Sequence, residues 1–228
     1  MRHWAWDVLP DLAMLSFAIP MLVGLRARRL NLSLRLIVIY SAAALAEGLV
    51  MWYLSEQNRP SLWLIHVFGP FEATILLYAL SRWQLRELAR LTIVFCIPAF
   101  LLLWGGLTIT TESLEKFPQY VKTVESFLLV AVSAYTLVSR SRSLVEPLAQ
   151  QDWFWVCVGL MIYFSMLAVL NPVANLLLEQ DSMALLMAVF EVNAALIIVH
   201  NILFAWAIRC QQQQMNSGGS LSPRPLLA

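Results

Sequence analysis

The chain has 228 residues, of which 60% are hydrophobic and 13% charged, with a formal net charge of +1 at pH 7. Soluble domains carry about 25% charged residues, and a mean hydropathy of +0.71 assigns this chain to the lipid bilayer. A separately folded soluble enzyme domain or nucleic-acid-binding module is excluded, because no hydrophilic stretch is long enough to build its own core.

Seven apolar runs of spanning length follow one another, at about 8–25, 34–54, 62–80, 91–107, 120–137, 154–178 and 183–208. They do not alternate as the strands of a membrane barrel would. The predicted fold is an all-α integral membrane bundle of seven transmembrane helices over residues 1–208. The remaining segment, 209–228, is rich in Gln, Gly, Ser and Pro without apolar periodicity, and is predicted to be a disordered tail.

The first run carries Asp11 and ends at Arg26, Arg28 and Arg29. That basic cluster follows the apolar stretch, the reverse of a cleaved signal's charge order, so a retained first span is expected. The second run contains Tyr40 and Glu47, seven residues apart and so on one helix face. The third contains His66, Gly69, Pro70 and Glu72. Pro70 has no N–H, which leaves the carbonyl of His66 without its helical partner and in need of another donor. The fifth run begins with Lys122 and Glu125. The sixth contains Asn171-Pro172, where the carbonyl of Ala168 is freed in the same way. The seventh contains Glu191, His200 and Asn201.

Arginine and lysine set the expected orientation. Arg26, Arg28, Arg29, Arg35, Arg82, Arg86, Arg90, Arg140, Arg142, Arg209 and Arg224 fall on one side of the alternating connections, eleven of the 15 basic residues. The positive-inside rule assigns that side to the cytoplasm, with the N-terminus outside and the C-terminus inside. The nine tryptophans agree: Trp4, Trp6, Trp52, Trp63 and Trp104 group at the outer ends, Trp83, Trp153, Trp155 and Trp206 at the inner ends, as headgroup anchors do. Cys96, Cys157 and Cys210 form no CxxC and no pair facing the outer compartment, so neither a disulfide framework nor a thiolate metal site is suggested.

A charged residue at mid-bilayer costs a few kcal/mol unless it is paired, neutralised or hydrated. At about 1.5 Å per residue, Glu47, Glu72, Glu191 and Asn171 lie ~10–15 Å below the outer ends of their spans. Asp11, His66 and Glu125 come out shallower, within ~8 Å. The inner half holds little beyond His200 and Asn201. Polar residues also act as interhelical glue, worth about 0.6–2 kcal/mol each, but glue would be scattered over both halves. Convergence at one depth points to an outward-facing, hydrated, acidic cavity. Its candidate ligand-binding residues are Glu47, Glu72, Glu191, His66, Asn171 and Tyr40. Three carboxylates at close range need shared protons, a bound cation or a cationic ligand.

Several chemistries lack their residues. Lys116 and Lys122 both stand at the outer edge of the fifth span, not at the interior position a retinal Schiff base requires. His66 and His200 differ in depth by ~20 Å, too far to share a metal's ~2 Å coordination sphere. No GxSxG or HExxH motif is present. No catalytic set, metal site or cofactor is therefore assigned, and enzymatic chemistry is the less favoured class. Phe71-Glu72 and Phe190-Glu191, at similar depths in the third and seventh spans, suggest a 3+1+3 arrangement of parallel repeats such as some transporters use.

The layout Ala18-Ile19-Pro20…Gly24-Leu25 with trailing arginines, then Glu47 and Phe71-Glu72, resembles small bacterial seven-helix membrane proteins of unassigned function. It is also similar in outline to the seven-helix sensory regions of some histidine kinases. The resemblance implies a multi-pass protein of the bacterial inner membrane, and it carries over no functional residue. The expected function is that of a sensor or interaction protein binding a small polar or cationic ligand in the outward cavity. Its partners would be the bilayer, that ligand and a cytoplasmic protein at the arginine-rich loops, with no nucleic acid. The alternative is a small-molecule or proton-coupled transporter.

The orientation predicts a labelling pattern in a background with Cys96, Cys157 and Cys210 replaced. Asn58→Cys and Gln119→Cys should react with an impermeant maleimide on intact cells, and Arg86→Cys should react only after permeabilisation. Reaction of the Arg86 position in intact cells would reverse the orientation.

Overall fold

The computed structural model describes residues 4–27, 29–110, 119–142, 147–180 and 182–218. These residues are helical apart from short connections. The first span is made of α1 (Trp4–Ser16) and α2 (Ala18–Arg26). It is followed by α3 (Leu32–Glu56), α4 (Leu62–Arg82), α5 (Glu87–Thr110), α6 (Gln119–Ser141), α7 (Asp152–Glu179) and α8 (Met183–Gly218). Among the described residues, seven helices, counting α1 and α2 as one, are long and apolar enough to cross a membrane.

The first span is broken at Phe17, which the sequence reading takes as continuous helix. Pro20 cannot donate to the carbonyl of Ser16, and the chain instead turns tightly, with Phe17 N–H donating to Met14 O at 3.3 Å. A second difference lies at the other end of the chain. The last helix does not stop at Ile208 but continues to Gly218. Its extension is held by side-chain contacts: the Gln211 amide oxygen accepts from Asn31 N–H at 3.3 Å, and Gln214 donates to Gln150 O at 2.9 Å. Disorder from residue 209 is therefore corrected for 209–218. Residues 219–228 lie outside the described residues, as do Arg2, Arg28, Glu112, Glu115, Lys116 and Asp181.

The spans form a closed ring. The α1/α2 span packs on α3 and α8, α3 on α4, α4 on α6, α6 on α7, and α7 on α8. α5 stands outside this ring, against α4 and α6. Small residues allow the closest approaches. A Cβ at Gly24 would fall 2.2 Å from Val38 Cγ2, and one at Gly48 would fall 2.7 Å from Met14 Cγ.

The half of the bundle at the arginine-rich helix ends is solidly packed. Leu34, Ile37, Leu76, Leu77, Leu80, Leu160, Phe204 and Ile208 are buried there, with Trp153. Trp153 and Trp83 are therefore core residues, not headgroup anchors, whereas Trp52, Trp63 and Trp206 are exposed as anchors should be. Several polar groups of this half bond across helix ends, although Trp153 Nε1 and Gln84 Oε1 are buried without a partner. Asn31 caps α3 by accepting from Leu34 N–H at 2.8 Å, and its Nδ2 donates to Asp152 at the start of α7 at 2.6 Å. Arg140 donates to Trp83 O at 2.6 Å, Gln84 to Thr136 Oγ1 at 2.7 Å, and Ser33 to Ala79 O at 3.0 Å. Higher in the bundle, Asn201 donates to Ser16 Oγ at 2.7 Å and ties α8 to the broken first span.

Candidate functional site

The opposite half of the bundle contains a cavity of about 560 Å³. Every spanning segment except α5 contributes to its wall. Glu47, Glu72, Glu191, Tyr40 and Asn171 all line it, so five of the six candidate residues share one space. His66 is the exception: it is buried in α4 but does not line the cavity. His66 and Glu72 are six residues apart, about 120° around the helix, so one can face the cavity while the other packs elsewhere.

The floor is an ion cluster. Lys122 Nζ donates to Glu72 Oε2 at 2.5 Å and lies 3.0 Å from Glu125 Oε2. Tyr40 Oη donates to the other oxygen, Glu72 Oε1, at 2.7 Å. Glu125 is wholly buried, and Lys122, Glu72 and Tyr40 nearly so. Two carboxyl groups thus share one ammonium.

Local sequence explains how these groups meet. Lys122 and Glu125 are three apart on α6 and so lie on one face. Gly69 faces the cluster: a Cβ there would stand in ordinary contact, 3.7 Å from Lys122 Cε and 3.5 Å from Glu125 Oε2. Next to it Thr74 donates to Pro70 O at 2.6 Å within the proline-interrupted turn. Below the cluster, the Tyr40 ring is packed by Phe17, Phe68, His200 and Phe204, with centroids 6.2–6.5 Å away. Phe17 is the residue at the helix break, so the Pro20 turn helps to shape the cavity floor.

Two sequence expectations are corrected here. Lys122 is not an edge residue; its nitrogen lies inside the bundle, so the positional ground for excluding a Schiff-base lysine does not hold. Glu125 is not shallow; it meets the same ammonium as Glu72. Counting along one helix from its own end does not fix the register between two helices, and here Lys122 and Glu125 lie beside Gly69 and Glu72 of α4. Lys122, Glu125, Gly69 and Tyr163 were missed as site residues. The Lys122-x-x-Glu125 spacing opening an apolar run was the available signal for the first two.

The upper wall differs from the floor. Glu47 and Glu191 are partly exposed and make no hydrogen bond or ion pair with the described residues. Asn193 Oδ1 is buried without a hydrogen-bond partner. The rest is apolar or aromatic, including Phe68, Phe190, Tyr163, Met14, Met51 and Met187. No family model matches the chain, and neither does any curated protein or solved structure compared with it.

The cluster predicts asymmetric stability effects. Lys122→Met leaves two buried carboxyl groups without their cation and should destabilise the protein by about 3–5 kcal/mol. Adding Glu72→Gln and Glu125→Gln to that variant should restore a large part of the loss, read as thermal stability in detergent. Equal stability of Lys122→Met and wild type would show that the cluster is not formed.

Proposed function

We propose that the chain is a multi-pass inner-membrane sensor or interaction protein that binds a small cation with an apolar body. The arginine-rich end is assigned to the cytoplasm by the positive-inside rule, which makes the cavity face outward and leaves the basic connections available to a protein partner.

The observation that carries this reading is the division of acceptors within the cavity. Glu72 is already occupied by Lys122 and Tyr40, whereas Glu47, Glu191 and the Asn193 oxygen remain uncommitted. A space whose uncommitted ionisable acids are Glu47 and Glu191 favours a positively charged guest with donors. Its aromatic walls suit the same guest, because a cation over a ring face gains about 0.5–2 kcal/mol. Its apolar area favours a guest with a hydrophobic body over a bare ion.

Sensing is favoured over transport by the packing of the other half. Carriage across the bundle would have to break the Asn31–Asp152 and Asn201–Ser16 contacts and open a core filled by Trp153, Phe204 and Ile208. A bound cation that tightens the outer half can instead be felt at the cytoplasmic end through α8, which runs from Glu191 to the Gln211 contact with Asn31.

Tetraphenylphosphonium is a suitable probe, with spermidine as a polar cation and tetraphenylborate as an anion of similar shape. Titration of the purified protein should show tetraphenylphosphonium binding most tightly. Glu47→Gln or Glu191→Gln should each weaken it about tenfold, which corresponds to about 1.4 kcal/mol. Unchanged binding in the double variant, or preference for the anion, would refute the proposal. Glu47-dependent uptake of the cation into proteoliposomes would move the assignment to transport.

A further inference from the structure

A second cavity, of about 330 Å³, lies at the arginine-rich end between the close of α4, the start of α5 and the end of α6. Gln84, Leu85, Arg86, Tyr135, Ser139 and Arg142 are among its lining residues. From these we infer that the pocket binds the phosphate of an anionic phospholipid headgroup.

The chemistry of the pocket is that of a phosphate site. Arg86 and Arg142 are both exposed, and neither forms an ion pair with a described residue. Their neighbour Arg140 is different, because its Nε is committed to Trp83 O at 2.6 Å. That bond ties the end of α6 to Trp83 at the end of α4, the two segments from which Arg142 and Arg86 reach the pocket. Planar guanidiniums suit phosphate oxygens because they offer paired donors. Arg86 also immediately precedes α5, whose first turn has N–H groups without helical partners. Glu87, the acid of that turn, does not line the pocket.

The position of the pocket selects a lipid over a free phosphate. Phe127, Tyr135 and Val138 are 63%, 46% and 49% exposed. They lie on one lipid-facing stripe of α6, at spacings of eight and three residues, and Arg142 continues it four residues further on. Tyr135 and Val138 both line the pocket and belong to that stripe. An acyl chain can therefore lie along α6 while its phosphate sits between the arginines. Basic pockets between helices on the cytoplasmic side are the expected place for anionic headgroups. This inference is independent of the acidic cavity, with which it shares no residue.

The test is competitive retention of lipid by the full chain, read by native mass spectrometry after release from mixed micelles. Wild type supplied with equal phosphatidylglycerol and phosphatidylcholine should retain the anionic lipid preferentially. At about 1 kcal/mol per arginine, Arg86→Gln with Arg142→Gln should reduce that preference roughly thirtyfold. Arg86→Lys with Arg142→Lys should keep part of it, and Arg26→Gln, at the end of α2, should keep all of it. Both pocket arginines are exposed, so the variants test binding and not folding. An unchanged preference in Arg86→Gln/Arg142→Gln would overturn the inference. So would complete displacement of the lipid by inorganic phosphate, which would make the ligand a soluble phosphate.

Discussion

The shared ammonium of Lys122 is the interaction on which the cavity half of this bundle depends. Moving an isolated charge into an apolar interior costs several kcal/mol even after relaxation, and here one lysine and two glutamates are buried together. The arrangement holds only if α4 and α6 keep one register, since Glu72 and Glu125 reach the same nitrogen from different helices. Tyr40 extends the constraint to α3 through Glu72. Three of the six ring segments are thus fixed at one level. The aromatic packing around Tyr40 brings in the first span and α8 as well.

A floor held in this way leaves the wall above it free to differ. Glu47 and Glu191 are partly exposed and make no hydrogen bond or ion pair to the cluster. The molecule therefore separates its acids into those that organise the bundle and those that face an open space. The opposite half is built for closure: caps, helix-end hydrogen bonds and a dense apolar core join α3, α7 and the long α8. Contacts such as Asn31 with Asp152 and Gln211 place the tail of α8 against the starts of two other spans. The rigidity of one half and the openness of the other are consequences of where the polar side chains find partners.

Much of this was legible in the sequence because membrane helices announce themselves by length and apolar composition alone. The seven apolar helices needed no more than counting along the chain, and Glu47, Glu72, Glu191 and Asn171, singled out in the same way, line one cavity. What was not legible follows from what counting omits. The register between two helices depends on their packing, and Lys122 and Glu125, near the start of α6, meet Glu72 in the interior of α4. Which face a residue presents is also set by packing, and His66 turns away from the cavity that Glu72 lines. The break at Phe17 has its sequence signal in Pro20, which removes the donor to Ser16 O. The helical continuation to Gly218 depends on contacts with Asn31 and Gln150, which a polar tail composition does not reveal.

The account stands on Lys122 being inside the bundle between two carboxyl groups, and the chain contains only two lysines. In a Lys116→Arg background, Lys122 is the single lysine side chain, and its nitrogen can be observed alone by solid-state NMR in bilayers. The account predicts through-space correlations from Lys122 Nζ to the side-chain carboxyl carbons of two glutamates. One of these should vanish in Glu72→Gln and the other in Glu125→Gln. A lysine signal correlated with water and with no carboxyl carbon would contradict it.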